Sequence, residues 1–144
     1  MKRSLVLVPV LALGIGAVPL TAQAADGGRP FHLELTGLAE QPGPGDPDGS
    51  GTADLRVNPG TGEVCYTVTV MDVAPITAAH IHVAPSTDPG PVVIPLAPFT
   101  GDTTSGCAEV DRDLALALIQ SPEDYYLNVH NLEYPAGALR AQLG

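Results

Sequence analysis

Thr77–Leu96 reads TAAHIHVAPSTDPGPVVIPL, and Tyr125–Leu143 reads YYLNVHNLEYPAGALRAQL. Together the two stretches hold three of the four histidines of the chain. In an extended strand, side chains at positions i and i+2 lie on the same face. His80 and His82 are therefore expected on one face of a strand. The second stretch repeats this spacing with an asparagine and a histidine, so two neighbouring strands would bring these polar side chains into one patch.

Alternating apolar and polar residues predict further strands on both sides of these stretches. The clearest pair is Ser50–Asn58 and Glu63–Met71, which a Pro- and Gly-rich turn at Asn58–Gly62 would join as a hairpin. One short helix is predicted over Asp111–Gln120. The pattern predicts an all-β fold, an antiparallel β-sandwich or Greek-key barrel of about eight strands with one short helix.

Two local expectations concern the helix and a loop. The helix is expected to pack through Leu114, Ala117 and Leu118. The segment Glu40–Gly51 is rich in Pro, Gly and Asp and is predicted to be an exposed loop. Its aspartates match part of a calcium-binding loop, but no glutamate follows at the twelfth position, so a solvated turn is favoured.

Residues 1–25 have the features of a secretory signal: a basic start, an apolar run and a small-x-small cleavage site at Ala22–Ala24. The apolar run of about 16 residues is interrupted by Pro and Gly, and a spanning helix needs ~20 apolar residues. A signal peptide is therefore favoured over an uncleaved anchor. We expect one mature domain over residues 26–144 and a secreted, extracellular location.

The net charge of the chain limits the classes of partner that it can bind. Removal of residues 1–25 leaves four arginines and no lysine against sixteen acidic residues, a net charge of −12. A field of this sign repels nucleic acids and anionic membrane surfaces. We therefore expect no nucleic-acid partner and, once the signal is removed, no membrane partner.

Cys65 and Cys107 are the two cysteines of the chain. An even number of cysteines in an exported protein favours a disulfide. The bond would close a loop of about 42 residues and contribute roughly 3–4 kcal/mol in the chain-entropy model. A pair of metal ligands is the weaker alternative, because the CxxC spacing is missing.

Four sequence blocks run from Phe31 to Leu143: FHLELTGLAEQP, GTADLRVNPGTGEVCYTVTV, ITAAHIHVAPSTDPGPVVIPL and YYLNVHNLEYPAGALRAQL. In this order they resemble the CHRD domain, a family of exported modules. The blocks around AAHIH and NVHN are the most specific. The resemblance implies an all-β extracellular module, and it implies protein recognition rather than a particular reaction.

His80, His82 and His130 are the candidate metal ligands. Neutral imidazole is the commonest protein ligand of transition metals, and an H-x-H pair with a third histidine suits copper or zinc. Under this interpretation the cofactor is copper or zinc, and the protein has redox or metal-handling activity.

The competing interpretation is structural, with Asn128, Arg140 and Glu40 as a supporting polar patch. The histidines would bond these side chains or backbone carbonyls and hold the strands in register. A cation such as Arg140 beside the cluster also disfavours a metal ion. The sequence thus favours a secreted, non-catalytic binding or interaction module whose partner is an extracellular protein or a cell-wall component. The copper- or zinc-binding protein is the alternative.

Overall fold

The strands of the computed structural model follow the alternation in the sequence closely. The structure describes residues 27–144, so the predicted signal peptide lies outside it. The strands within this range are β1 (Arg29–Thr36), β2 (Ser50–Asn58), β3 (Glu63–Met71), β4 (Ile76–Val83), β5 (Val92–Pro95), β6 (Thr103–Glu109), β7 (Tyr125–Asn131) and β8 (Leu139–Gln142). The helix α1 spans Arg112–Gln120, and short 3-10 turns occupy Gly37–Ala39 and Pro122–Asp124.

All strand pairs are antiparallel and form one sheet in the order β5-β4-β7-β8-β1-β2-β3-β6. The sheet curls until its two ends approach each other. The backbone N–H of Ala97, just beyond β5, donates to the Tyr66 hydroxyl on β3 (2.7 Å), and the Thr104 hydroxyl on β6 donates to the Ala97 carbonyl (2.9 Å). The predicted all-β class is confirmed, as a nearly closed barrel of eight strands within residues 27–144.

The core fills the inside of this barrel with every second side chain of each strand. On β3 these are Val64, Tyr66, Val68 and Val70, all buried. Helix α1 packs against the barrel through Ala115 and Leu118, which are fully buried. All three predicted residues pack against the core: Leu118 is fully buried, and Leu114 and Ala117 are half-buried. The prediction missed Ala115, which the helix turns towards β2 and β3.

The prediction of an exposed loop after β1 is correct for its prolines and wrong for Glu40 and Asp46. Glu40 and Asp46 are buried, although the prolines between them are exposed. Oδ1 of Asp46 accepts hydrogen bonds from the backbone N–H groups of Asp48 (3.2 Å) and Gly49 (3.1 Å). Oδ2 of Asp46 accepts one from Nδ2 of Asn131 on β7 (3.2 Å). A remote strand thus draws into the interior a side chain that local sequence places in a solvated turn.

Cys65 and Cys107 form the predicted disulfide. The two residues are direct partners in the β3–β6 register, and the bond closes a separation of 42 residues. The weaker alternative, a pair of metal ligands, is therefore wrong.

Across residues 27–144, every helix is too short or too polar to span a lipid bilayer.

Candidate functional site

The pairing of β4 with β7 brings the three predicted histidines together. The register sets His80 opposite Asn128 and Ala78 opposite His130, while His82 lies two residues further along β4. These side chains leave the sheet on its outer side, because the alternating residues, such as Ile81, fill the core. We call His80, His82 and His130 the histidine cluster.

The rings of the histidine cluster are in mutual contact. Ring centroids are 5.0 Å apart for His80 and His130, 5.5 Å for His80 and His82, and 6.1 Å for His82 and His130. Nδ1 of His80 lies 3.1 Å from Nε2 of His130. One nitrogen from each ring can be chosen so that all three lie within 4.8 Å of one another.

Backbone carbonyls fix the proton positions on two of the rings. Nδ1 of His82 is 2.9 Å from the carbonyl oxygen of Gly90, and Nδ1 of His130 is 3.1 Å from that of Pro135. A carbonyl oxygen only accepts, so both Nδ1 atoms carry the proton when the rings are neutral. The lone pairs of both rings are then on Nε2, and that of His82 is without a partner within residues 27–144. His80 donates its Nδ1–H to the lone pair of His130.

Nε2 of His82 is a buried nitrogen whose hydrogen-bonding capacity is unused. His82 is 8% exposed, and Nε2 has no hydrogen-bond partner within residues 27–144. The ring cannot swing away, because Tyr126 stacks on it at 4.8 Å with an angle of 11° between the planes. A buried polar atom without a partner is destabilising, so such atoms in a native fold mark a specific role.

The environment keeps the histidine cluster neutral. Burial lowers the pKa of His130 to about 4, and neighbouring His80 lowers it further against the raising effect of the Pro135 hydrogen bond. Burial also lowers the pKa of His80 and of His82, with Arg140 contributing to the shift at His82. All three rings are therefore uncharged at neutral pH, each with one N–H and one lone pair, in the form that accepts a proton or a metal ion.

Arg140 lies next to the cluster, and its charge is directed towards the loop of residues 84–91. The side chain is 1% exposed. It donates to the carbonyl oxygens of Pro85 (2.8 Å) and Asp88 (3.0 Å). Its Cζ lies 3.5 Å from the centroid of the Tyr126 ring, a cation–π contact. Gln142 extends the support by donating to the carbonyl of Ala84 (2.8 Å), so two β8 side chains fasten this loop.

Glu40 and Asn128 form a second buried unit beside the cluster. Nδ2 of Asn128 donates to Oε1 of Glu40 and to the carbonyl of Leu139 (3.2 Å). Burial raises the pKa of Glu40 to about 7, although Arg140 and the Asn128 hydrogen bond act to lower it. Gly137 covers the pair so closely that a Cβ at this position would overlap Oε2 of Glu40. The three predicted supporting residues therefore act in two places. Arg140 holds the 84–91 loop, whereas Glu40 and Asn128 bond to each other.

A comparison with protein families decides the relationship suggested by the sequence blocks. The CHRD domain profile matches residues 31–143. The chain belongs to the CHRD domain family. CHRD domains are typically extracellular, and the disulfide of this chain suits an oxidising compartment. No curated protein and no solved structure matched the chain in the other two comparisons.

This CHRD domain brings together all three histidines that the sequence singled out, and it adds further side-chain and backbone partners to them. The carbonyls of Gly90 and Pro135 orient two of the rings, and Tyr126 stacks on His82. Backbone carbonyls leave no signature in a sequence. Tyr126 had a weak signal, because it shares the i, i+2 spacing of the polar side chains of β7.

Proposed function

We propose that this CHRD domain is exported and acts outside the cell as a non-catalytic binding module. Family membership and the Cys65–Cys107 disulfide support this role. The cleavage site in the sequence and the net charge of the mature chain are consistent with export and with solubility in an aqueous exterior. The partner we propose is an extracellular protein or a cell-wall component.

The observation that carries this proposal is the attachment of the 84–91 loop. Residues 85–89 are exposed, yet the carbonyls of Pro85 and Asp88 accept hydrogen bonds from the buried guanidinium group of Arg140. A loop fixed before binding loses little conformational entropy when a partner docks. Binding residues are commonly found on loops that a rigid scaffold positions. The barrel therefore presents this loop as a preformed contact surface.

A groove beside the loop offers a place for a partner side chain. It has a volume of about 540 Å³ and lies between the 84–91 loop and the end of α1. Its walls are mainly apolar and include Pro85, Pro89 and Tyr125. Asp88 and Asp124 also line the groove. Apolar walls with a few charged groups suit a protein side chain that ends in a basic group.

Export is tested by expressing residues 1–144 in a bacterial host and analysing the medium by mass spectrometry. We expect a released chain that begins at Ala25 or Asp26 and carries one disulfide. Retention of the full-length chain inside the cell contradicts export.

Binding is tested with the released chain and two fractions of the producing cells, isolated cell wall and extracellular protein. We expect saturable binding to one fraction. The double variant Ser86→Trp, Asp88→Arg should lose at least about 10-fold in affinity, since it changes the size and charge of an exposed loop. The control Thr61→Trp, Asp102→Arg carries the same changes at exposed turns elsewhere and should bind normally. Equal binding by both variants, or no binding to either fraction, would refute the proposal.

A further inference from the structure

The distances within the histidine cluster suit a shared ion. Two nitrogens bound to one tetrahedral ion at ~2.0–2.1 Å are about 3.3 Å apart. Nδ1 of His80 and Nε2 of His130 are already 3.1 Å apart. With one nitrogen chosen from each of the three rings, the widest gap is at most 4.8 Å, and a movement of one ring by ~1–1.5 Å closes such a gap to the distance required for shared coordination.

In two of the three rings, Nδ1 is already engaged by a backbone carbonyl, so the lone pair of the neutral ring is on Nε2. His82 and His130 direct Nδ1–H to the carbonyls of Gly90 and Pro135, which leaves Nε2 of each ring as the donor to an ion. Ligand histidines in metal sites usually have such a second hydrogen bond, which sets the tautomer and the ring orientation. Nε2 of His82 is the independent observation, since it is buried and without a partner within residues 27–144, in a ring that belongs to the three-histidine group.

His80 is the adjustable member of the cluster. Its ring bonds to His130, whereas the other two rings bond to loop carbonyls. An ion between His80 and His130 would replace the proton that now bridges them. His80 can then hold its proton on Nε2, so the ring stays neutral and no proton needs to leave the site.

The charge of Arg140 opposes an ion nearby, and the contacts of its guanidinium reduce that opposition. Its Nη atoms face the carbonyls of Pro85 and Asp88 and the side-chain oxygen of Gln142. The ring of Tyr126 contacts both Arg140 and His82. The strongly acidic mature chain raises the local concentration of cations around the whole domain.

From these contacts we infer that His80, His82 and His130 form a binding site for one divalent transition-metal ion, zinc or copper(II). Three imidazole nitrogens with no carboxylate among them select such borderline ions over calcium and magnesium, which prefer oxygen. The inference goes beyond the binding module proposed above and does not depend on the 84–91 loop having a partner.

The test is calorimetric titration of the exported chain with zinc, and separately with copper(II), in a buffer containing excess calcium. Calcium occupies surface carboxylates, so imidazole binding is what remains to be measured. We expect one ion per chain and a rise in Tm on its addition. His80→Ala and His130→Ala should each weaken binding by about 10- to 100-fold or more. Retention of saturable binding in both variants overturns the inference, as does the absence of saturable binding to the native chain.

His32 supplies the matched control. It is an exposed histidine on β1, 2.9 Å from Asp54, and it lies outside the cluster. His32→Ala should bind the ion as the native chain does, and a loss there identifies adventitious surface binding and overturns the inference. The native chain also gives a readout that survives if a variant fails to fold. Nitrogen-15 spectra of the imidazoles should shift at Nε2 of His82 and His130 on adding zinc, and unchanged signals overturn the inference.

Discussion

Asn128 on β7 donates a hydrogen bond to the buried carboxyl group of Glu40, which lies 88 residues earlier in the sequence. The bond fastens the segment that follows β1 over the outer side of β7. Burial raises the pKa of Glu40 from 4.5 to about 7. The folded protein therefore holds this proton more tightly than the unfolded chain does, and the stability of the fold depends on pH at this position.

We predict that Glu40 makes the fold less stable as the pH rises from about 4.5 to 7. A carboxyl group with a raised pKa contributes its full stability below the unfolded value of 4.5 and loses it as the pH rises through the folded value of about 7. Glu40→Gln keeps the hydrogen-bonding oxygen and removes the titration. The free energy of unfolding of the native chain minus that of Glu40→Gln should fall across this window, with a slope of at most about 1.4 kcal/mol per pH unit.

Denaturant unfolding of both proteins at several pH values between 4 and 8 provides the measurement. The histidine cluster changes the stability with the opposite sign as the pH rises, because burial lowers the pKa of each of its rings. They are present in both proteins, so their effect cancels in the difference. A difference that stays constant from pH 4.5 to 7 contradicts the raised pKa of Glu40.

We predict that Gly137→Ala destabilises the fold by about 3 kcal/mol or more, because overpacking a filled site displaces its neighbours. A Cβ at this position overlaps Oε2 of Glu40 and lies 2.8 Å from Nδ2 of Asn128. Thermal and denaturant unfolding measure the change. Ala136→Ser, at the exposed neighbouring position, should unfold like the native chain.

A double-mutant cycle separates the clash with Glu40 from backbone strain at Gly137. Glu40→Ala removes the carboxyl group, so Gly137→Ala should be less destabilising in that background than in the native chain. Strictly additive changes in the free energy of unfolding would show that the carboxyl group is not what the new methyl group meets.

The sequence predicts those parts of the fold that local patterns determine. The bounds of β2 and β3 agree with prediction to the residue, because alternation, β-branched residues and a Pro-Gly turn all act locally. The loop after β1 could not be predicted, because its conformation depends on remote partners. Asp46 accepts a hydrogen bond from Asn131 in its buried position, and Glu40 accepts one from Asn128.

In the candidate site, too, local patterns predict some features, while others depend on how the loops fold. The i, i+2 spacing identified His80, His82 and His130, and the β4–β7 register made them neighbours. The proton positions on two of the rings depend on the carbonyls of Gly90 and Pro135. The position of a carbonyl depends on how its loop is folded, and side-chain patterns carry no information about it.

We predict that Arg140→Lys loosens the 84–91 loop and destabilises the fold by about 3 kcal/mol, the size of one or two lost charge-assisted hydrogen bonds. A lysine ammonium cannot place two fixed donors on the carbonyls of Pro85 and Asp88 and also lie flat on the ring of Tyr126. Hydrogen exchange at the amides of Asp88 and Gly90 should accelerate more than exchange in β2.

Arg56→Lys is the control for Arg140→Lys, since Arg56 is an exposed arginine on β2. It should change the free energy of unfolding by much less and leave exchange in the loop unchanged. Equal effects of the two substitutions would show that Arg140 does not hold the loop.

We predict that removing the disulfide lowers the free energy of unfolding by about 4 kcal/mol, the chain-entropy value for a loop of 42 residues. Cys65 and Cys107 are direct partners on β3 and β6, and β6 lies at one end of the sheet. Its pairing with β3 and the bonds around Ala97 remain without the disulfide, so Cys65→Ser, Cys107→Ser should keep the native fold at low temperature. Denaturant unfolding of this variant and of the native chain with and without a reductant measures the change. The reductant should destabilise the native chain alone, and an equal effect on both proteins would mean that it acts elsewhere in the fold.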